Sequence, residues 1–240
     1  MSSHELQMAS PVLVNDSEAK IEDGGKKEYS IVHLNFPNDF DLNKISIGHI
    51  YKQKLLSRFN FLKPYKIIRV EESRSIEKCE HVCLLTRDNI RSYRSKYKFL
   101  HVGLVQFSIS SNILKSGFDE DPIPLSVSLR DSKYSKYEES ILVHFNSGVC
   151  NGVRNFNWFP NFSSSLFDLG NSNGLVVTID FSDCVHVKIR YRVCYKLMKK
   201  SLKPDYLFDN PVLEVDTEKV NVFVPKTNDQ SETLLELLDC

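Results

Sequence analysis

The sequence lacks the features that would place it in a special class of protein. No apolar run reaches the roughly 18–20 residues that a membrane-spanning helix needs, and residues 1–30 contain no apolar stretch of the secretory type. Nine glycines and nine prolines in 240 residues are too few for a collagen-like or low-complexity chain. Hydrophobic residues make up 41% and charged residues 26%, as in ordinary globular proteins. We therefore expect a soluble, cytosol-facing protein of one large or two small domains.

Cysteine is sparse as well, with six residues spread over the chain. Because no secretory signal is evident, we predict that these thiols are reduced and pack as small apolar groups. Cys79-x3-Cys83 encloses His81, and Cys184-x-His186 is a similar pair, but a structural zinc site usually takes two tight ligand pairs. We predict no metal site.

Catalytic motifs are missing too. The chain contains no GxxxxGK[ST], GxGxxG, GxSxG or HExxH. Ser95 and Lys98 formally match S-x-x-K, but the expected companion motifs do not occur. A nuclease that holds metal through Asp119, Asp121 and Asp131 stays an alternative, and it requires these carboxylates to converge on one point. We predict no enzyme activity and no cofactor.

The chain has no net charge, since 31 basic residues balance 31 acidic ones. The charges are nevertheless segregated: residues 1–42 have a net charge of −5, residues 43–100 of +9, residues 101–204 of +3 and residues 205–240 of −7. A basic body between two acidic ends is typical of a protein that binds a polyanion. Solvated faces that differ in sign by chance are the other interpretation.

Hydrophobic periodicity predicts a mainly β fold. Residues 1–40 read as a flexible acidic arm, and helical spacing behind a capping Asp41 predicts a helix from Asp41 to Phe61. Apolar runs and alternation predict the following strands: Tyr65–Val70, Phe99–Ile109, Leu125–Arg130, Ile141–Phe145, Leu175–Phe181, Cys184–Leu197, and a terminal hairpin of Val212–Val215 and Val220–Val224. This pattern favours an antiparallel β-sandwich with peripheral short helices. The β core spans residues 41–204, and residues 205–240 form an acidic tail with a short amphipathic helix at Ser231–Leu238.

The segment 87–98, RDNIRSYRSKYK, interleaves cations with aromatic residues. The candidate nucleic-acid contacts in it are Arg87, Arg91, Tyr93, Arg94, Lys96, Tyr97 and Lys98. Cations neutralise phosphates, and aromatic rings stack on unpaired bases. The segment therefore predicts binding of single strands without sequence preference.

A second candidate surface lies on the predicted strand Cys184–Leu197. Its apolar residues face one way, and the other face carries Lys188, Arg190, Arg192 and Lys196. This row can contact phosphates, or it can serve solubility and protection of a strand edge. We keep both explanations for Lys188, Arg190 and Arg192.

Several segments follow one another in a distinctive order. Phe-Leu-Lys-Pro at 61–64 ends a basic segment and precedes the strand FLHVGLVQF, which contains Gly103. The strand LSVSLR then ends in Asp131 and the turn SKY, and a closing strand covers Ile179–Tyr191. Over residues 43–197 this order resembles the 30K superfamily of plant-virus movement proteins, whose hallmark aspartate matches Asp131.

The resemblance implies a jelly-roll-like sandwich that binds viral single-stranded RNA, or virions and coat protein, and carries them between cells without a cofactor. It also implies host plasmodesmal and endomembrane partners, self-association, and a location in the host cytoplasm and plasmodesmata. A single-stranded RNA-binding or capsid-like module without transport is the alternative. We expect the hallmark positions Asp131 and Gly103 to be structural, since an aspartate directly after a strand can accept backbone N–H bonds and fix the turn.

Overall fold

A computed structural model describes residues 30–34, 40–52, 65–76, 80–111, 123–149, 152–171, 174–181, 187–200, 204–216 and 220–223. The strands in these ranges are β1 (Ser30–Leu34), β2 (Tyr65–Ile76), β3 (Glu80–Cys83), β4 (Phe99–Ser111), β5 (Ile123–Asp131), β6 (Ile141–Val149), β7 (Gly152–Phe159), β8 (Phe162–Ser165), β9 (Leu175–Phe181), β10 (Val187–Met198), β11 (Val212–Asp216) and β12 (Val220–Phe223). The helices are α1 (Arg87–Arg94), α2 (Tyr137–Ser140) and α3 (Leu166–Asn171), and a 3-10 turn spans Ile47–His49.

Eight of the strands form a jelly roll of two facing sheets. In one sheet the order is β7-β4-β10-β2, and in the other it is β6-β5-β9-β3. All pairings within these two sets are antiparallel. The chain passes repeatedly from one sheet to the other, as in a double Greek key. The predicted antiparallel sandwich is therefore confirmed.

The core fills the space between the two sheets because each strand directs alternate side chains inward. Phe107 stacks on Phe156 and on Tyr191 with ring centroids 5.3 Å apart in both pairs. Phe145 of the opposite sheet meets Phe156 edge-on at 4.7 Å. These contacts join β4, β7 and β10 to β6, and Trp158 on β7 is also fully buried. Aromatic pairs of this kind add stability beyond the area that they bury.

All of the predicted strands coincide with strands of the structure, but the described part of the predicted helix, residues 41–52, is not α-helical. Residues 40–52 contain only the 3-10 turn and an isolated bridge between Tyr51 and Tyr206; the rest of the predicted helix lies outside the described residues. In this segment Ile50 and Tyr51 are buried against the outer face of the larger sheet, and Leu42 is buried as well. We call residues 40–52 the strap. The apolar residues of the strap are spaced to fit the sheet that it covers. This spacing resembles a helical period, and for that reason the sequence predicted a helix.

The chain ends also differ from the prediction. β11 pairs with β7 and, in parallel, with β1, whereas β12 pairs with β6 in the other sheet. The predicted hairpin of Val212–Val215 and Val220–Val224 is therefore wrong, because its two strands lie in different sheets. Strands from both predicted tails pair with the two sheets: β1 and β11 in one sheet and β12 in the other. The Ser231–Leu238 helix lies outside the described residues.

Candidate nucleic-acid interface

The two short helices α1 and α3 lie together at one end of the sandwich. Leu84 N–H donates to Leu175 O at 3.1 Å, and Leu166 N–H donates to Lys98 O at 2.9 Å. Lys98 N–H in turn donates to Met198 O at 3.0 Å. These bonds bring the ends of β3, β4, β9 and β10 to the same place as the helices. The turn after β5 joins them, since Ser132 N–H donates to Gly174 O at 3.0 Å.

Exposed cations from three chain segments collect at this end, which we call the basic end. They are Arg87, Arg91, Arg94, Lys96, Lys98, Lys133, Lys136, Lys199 and Lys200. Of the carboxylates whose side chains the structure describes at this end, three are exposed among these cations: those of Asp88, Asp168 and Glu139. Two of these form surface ion pairs, Arg91 with Asp88 at 3.7 Å and Lys136 with Glu139 at 3.1 Å. Exposed pairs of this kind contribute about 0–1 kcal/mol, so the positive excess dominates the surface.

Helix α1 packs on the core and still leaves its three arginines exposed. The Thr86 hydroxyl caps the helix by accepting from Asn89 N–H at 3.2 Å. Ile90 is fully buried in the core, whereas Arg87, Arg91 and Arg94 of the same helix are exposed. The predicted cationic part of residues 87–98 therefore lies on an accessible surface.

The two tyrosines of that segment are less exposed than stacking on bases would require. Tyr93 and Tyr97 are half-buried and pack against the core. The Tyr93 hydroxyl hydrogen-bonds with the Tyr195 hydroxyl at 2.8 Å, and burial raises the pKa of Tyr195 far above its ordinary value. The sequence interleaves cations and tyrosines, but the helix turns the tyrosines inward. Neither ring is an open stacking surface.

Two other aromatic rings are exposed at the basic end. Phe167 is 61% exposed and Tyr134 is 45% exposed, the two highest values among the large hydrophobic residues that the structure describes. The Arg94 guanidinium lies 5.1 Å from the centre of the Phe167 ring, and the Lys133 ammonium lies 6.0 Å from that of Tyr134. Ring and cation are thus adjacent in both places, the arrangement that binds an unpaired base and its phosphate together.

The exposed ring of Phe167 is not among the residues predicted from the sequence, although a signal for it exists. Leu166 and Leu169 are buried at a spacing of three residues, which defines the inner face of α3. Phe167 falls off that face, so an exposed ring follows from the periodicity once a helix is assigned there. Lys199 and Lys200 were missed because nothing local indicates that β10 ends beside Lys98.

The cations of β10 do not form an open surface, which corrects the second prediction. Arg192 and Lys196 are buried, and only Lys188 is exposed. Arg190 and Arg192 both form ion pairs with Glu71, at 2.8 and 2.7 Å, and Arg190 also pairs with Asp41. Although partial burial acts to raise it, the pKa of Glu71 lies below its ordinary value because Arg192 and Arg190 donate hydrogen bonds to it.

A row of polar residues explains why Arg192 is buried. One residue from each of five adjacent strands contributes to it, in register: Glu71, Arg192, Gln106, Asn157 and Glu214. Each bonds its neighbour across the strands at 2.7, 3.0, 2.9 and 3.0 Å, in that order. The strap closes the row from above, since Asn43 O accepts from both Arg192 and Gln106. These cations hold the sheet and the strap together.

Asp131 lies where the prediction placed it, at the end of β5, and it is almost fully buried. Its Oδ1 accepts from Lys133 N–H at 3.0 Å, the kind of bond expected of a turn-fixing aspartate. Burial raises the pKa of Asp131, against the lowering effect of that bond. The neighbouring Ser132 hydroxyl donates to Gly174 O at 2.7 Å. The side chain therefore orders the turn that carries Lys133 and Tyr134.

Gly103 is the unpaired residue of a β-bulge in β4. On β10, Cys194 pairs with Leu104 and Tyr195 pairs with Val102, so Gly103 has no partner between them. A Cβ on Gly103 would lie 2.5 Å from Tyr51 Oη and 2.7 Å from Ile50 Cγ2. The strap thus packs directly on the backbone of β4, and only glycine leaves space for it.

The described residues contain neither a metal-binding cluster nor a helix that could span a membrane. In those ranges no group of three or more His, Cys, Asp or Glu side chains could share a metal ion. His81 Nδ1 forms a hydrogen bond with Thr178 Oγ1 at 3.0 Å, and Cys83 is exposed. Cys79, Cys184, His186, Asp119 and Asp121 lie outside the described residues. None of the helices that the structure describes has the length and hydrophobicity to cross a bilayer.

Comparison with known proteins finds a matching family model and similar solved structures, two of which follow. The family model described as viral movement protein (MP) matches residues 38–210. A solved structure of Desmodium yellow mottle tymovirus aligns over 82% of this chain and 98% of its own, with 11% identity and a TM-score of 0.27. A structure of infectious bursal disease virus, Gx strain, aligns over 72% and 47%, with 8% identity and a TM-score of 0.19. No curated protein matches the chain.

Proposed function

The chain belongs to the viral movement protein family, and on this premise we propose that it binds single-stranded viral nucleic acid at the basic end. The observation that carries the proposal is the collection of nine exposed cations around the exposed rings of Phe167 and Tyr134. The bound strand, or a virion that presents it, would then be carried between plant cells through plasmodesmata.

The proposed mode of binding requires no base-specific contact and no covalent step. Arginine and lysine side chains neutralise backbone phosphates and release counterions. Phe167 and Tyr134 offer ring faces on which any base can stack, and each stacked base contributes about 1–3 kcal/mol. The ordered turn at Asp131 keeps Lys133 and Tyr134 close to the sandwich. Such a surface accepts a single strand of any sequence, which suits transport of a whole genome.

The same family membership supports a place for the protein in the host cell. We propose that it acts in the cytoplasm and at plasmodesmata of a plant cell, where host plasmodesmal and endomembrane components and further copies of the chain are its partners. The viral nucleic acid, or the coat protein around it, is the cargo. No cofactor takes part in this scheme.

Equilibrium binding of a short fluorescent single-stranded RNA of mixed sequence tests the interface. Reversing the charges of Arg91, Arg94, Lys96 and Lys98 to glutamate should lower the affinity by more than tenfold at low salt, since each phosphate contact is electrostatic. A control reverses Lys44 and Lys188, two cations that are exposed elsewhere, and should lower the affinity far less per reversed charge. Equal losses per reversed charge in both variants would reject the basic end as the interface.

The aromatic part of the interface has its own test. Phe167→Ala should weaken RNA binding by about 5- to 100-fold, the equivalent of one lost stacking contact. Ile47→Ala is the control, because Ile47 is also an exposed apolar residue but lies on the strap. If Phe167→Ala binds like the unsubstituted protein, Phe167 is not a stacking platform.

Complementation in a leaf tests transport. A fluorescent virus without its own movement protein is delivered together with this protein or with its charge-reversed variant. We expect clusters of infected cells with the unsubstituted protein and single infected cells with the variant. Infection confined to single cells in both cases, with the protein expressed, would favour a single-stranded RNA-binding module without transport.

A further inference from the structure

β12, the last strand that the structure describes, runs toward the basic end. β12 is antiparallel to β6, with Val220 opposite Ser147 and Phe223 opposite His144. β6 begins at Ile141, directly after α2, at the basic end. The chain therefore runs along β12 toward that end, and Phe223 stands three positions, or about 10 Å, from where β6 begins.

The seventeen residues that follow have the opposite charge. Residues 224–240 carry four carboxylates, on Asp229, Glu232, Glu236 and Asp239, and one cation, Lys226. Between the carboxylates lie the leucines of the LLELL stretch. A chain of this length spans at most about 55–60 Å when fully extended. It can therefore reach every cation of the basic end from its point of departure at Phe223.

We propose that residues 224–240 dock on the basic end of the same molecule and compete there with nucleic acid. The carboxylates face the cations of α1, the turn after Asp131 and the end of β10, and the leucines cover the exposed rings of Phe167 and Tyr134. Docking within one molecule needs no second copy, and its effective concentration is high because the tether is short. The competition part of this inference rests on the proposed function, whereas the docking part does not.

The affinity of the protein for nucleic acid therefore depends on whether its own tail occupies the basic end. A partner that binds the tail, or a modification that lowers its affinity for the cations, would expose the interface. Salt weakens the tail contact as well as the RNA contact, because both are electrostatic. The acidic tail thus acts as a built-in competitor that favours binding of long polyanions over short or weak ones.

Zero-length carbodiimide coupling tests docking without any nucleic acid. In the full-length chain at low salt, the reagent joins carboxylates to lysines that are in contact, and mass spectrometry of the monomer band identifies the pairs. We expect Glu232, Glu236 or Asp239 joined to lysines of the basic end, and loss of these products at high salt. The reference lysines are Lys44 and Lys188, which are exposed but lie away from that end.

Two outcomes of the coupling experiment would overturn the proposal. Tail carboxylates joined equally to Lys44 and Lys188 would show contact without a preferred site. Products that appear only in the dimer band would show that the tail docks on a second copy instead of its own molecule.

The second experiment tests competition. A variant with a neutral tail carries Asp229→Asn, Glu232→Gln, Glu236→Gln and Asp239→Asn, and its control carries Glu5→Gln, Asp16→Asn, Glu18→Gln and Glu22→Gln, which change the net charge equally. The neutral-tail variant should bind the single-stranded RNA about 5- to 10-fold more tightly at low salt, the range of a modest coupling between sites. The control should stay close to the unsubstituted protein.

The two experiments separate the possible failures. Specific coupling of the tail to the basic end, with no RNA binding by any variant, would reject the proposed function and leave docking in place. RNA binding that is equal in all variants would reject the competition, whatever the coupling shows.

Discussion

The buried carboxylate of Asp131 orders a turn, although its burial disfavours the charged form. Its Oδ1 orders the turn through Lys133 N–H, while burial raises its pKa. A raised pKa means that the folded state binds the proton more tightly than the unfolded state does. The stability contributed by the protonated form is therefore lost as the pH rises from the ordinary aspartate range through the raised pKa.

This argument predicts different effects for two substitutions of Asp131. Asp131→Asn keeps an oxygen that can accept from Lys133 N–H and removes the buried charge, so the free energy of unfolding at neutral pH should equal or exceed that of the unsubstituted protein. Asp131→Ala loses the acceptor and should be less stable than Asp131→Asn by about 1 kcal/mol. Urea unfolding at several pH values measures both. The advantage of Asp131→Asn should shrink as the pH falls, and a constant difference would contradict the raised pKa.

The effect of substituting Gly103 on stability should be purely steric. Gly103→Ala places a methyl group against Tyr51 and Ile50, which cannot both move without lifting the strap, and should lower the free energy of unfolding by about 1–3 kcal/mol. Gly170→Ala is the matched control, because its Cβ would meet only the mobile end of Arg94 at 2.8 Å. Thermal melts of the two variants should differ clearly. Similar melting temperatures would mean that the strap does not pack on β4 as described.

The strap and the polar row show how elements distant in the sequence fix one another. The carbonyl of Asn43 accepts from two strands, and Ile45 O accepts from Arg69 at 2.8 Å. Gln106 is the centre of the row, since its amide contacts Arg192, Asn157 and Asn43. The register of five strands and the position of the strap therefore depend on one another through a single side chain.

Removal of that central amide should be costly. Gln106→Leu leaves a donor of Arg192 and the side-chain oxygen of Asn157 without their partner, and we expect a loss of about 1–3 kcal/mol for each buried polar group that stays unpaired. Asp41→Asn, which weakens only an exposed contact of Arg190, should cost about 0–1 kcal/mol. Urea unfolding compares the two. A cost for Gln106→Leu no larger than that of the control would show that the row contributes little.

Over the whole molecule, the fold converts a neutral chain into one with a strongly positive end. The cations of that end come from residues 87–98, 133–136 and 199–200, which are separated by long stretches of sequence. Hydrogen bonds between strand ends bring them together. A polyanion in solution meets this combined field, which no single segment provides.

The salt dependence of RNA binding measures that field. The slope of log affinity against log salt changes by about 0.7 for each phosphate contact with a single strand, so the four-residue charge reversal should flatten it by up to about 2.8. Titrations at several salt concentrations give the slope for the unsubstituted protein and the variant. An unchanged slope would contradict the assignment of these four residues to the interface.

Much of the fold was predictable because strand alternation is a local property. β2, β4, β5, β9 and β10 all overlap predicted strands, although β2 continues to Ile76, beyond the predicted end at Val70. β6 continues through the polar Asn146–Gly148 stretch to Val149, because pairing with β5 and β12 satisfies its backbone there. The strap was misassigned because the outer face of a sheet selects apolar residues at a spacing that resembles a helix.

The sequence by itself determined the antiparallel sandwich, the turn at Asp131 and the cationic character of residues 87–98, since all three follow from the spacing and chemistry of neighbouring residues. Only the tertiary structure decided which charged and aromatic side chains face solvent. It buried Arg192 against Glu71 and turned Tyr93 toward Tyr195, and it left Phe167 exposed beside Arg94. The physical reason is that burial and ion pairing depend on residues far apart in the chain, and the packing of the two sheets, the strap and the helices chooses those partners.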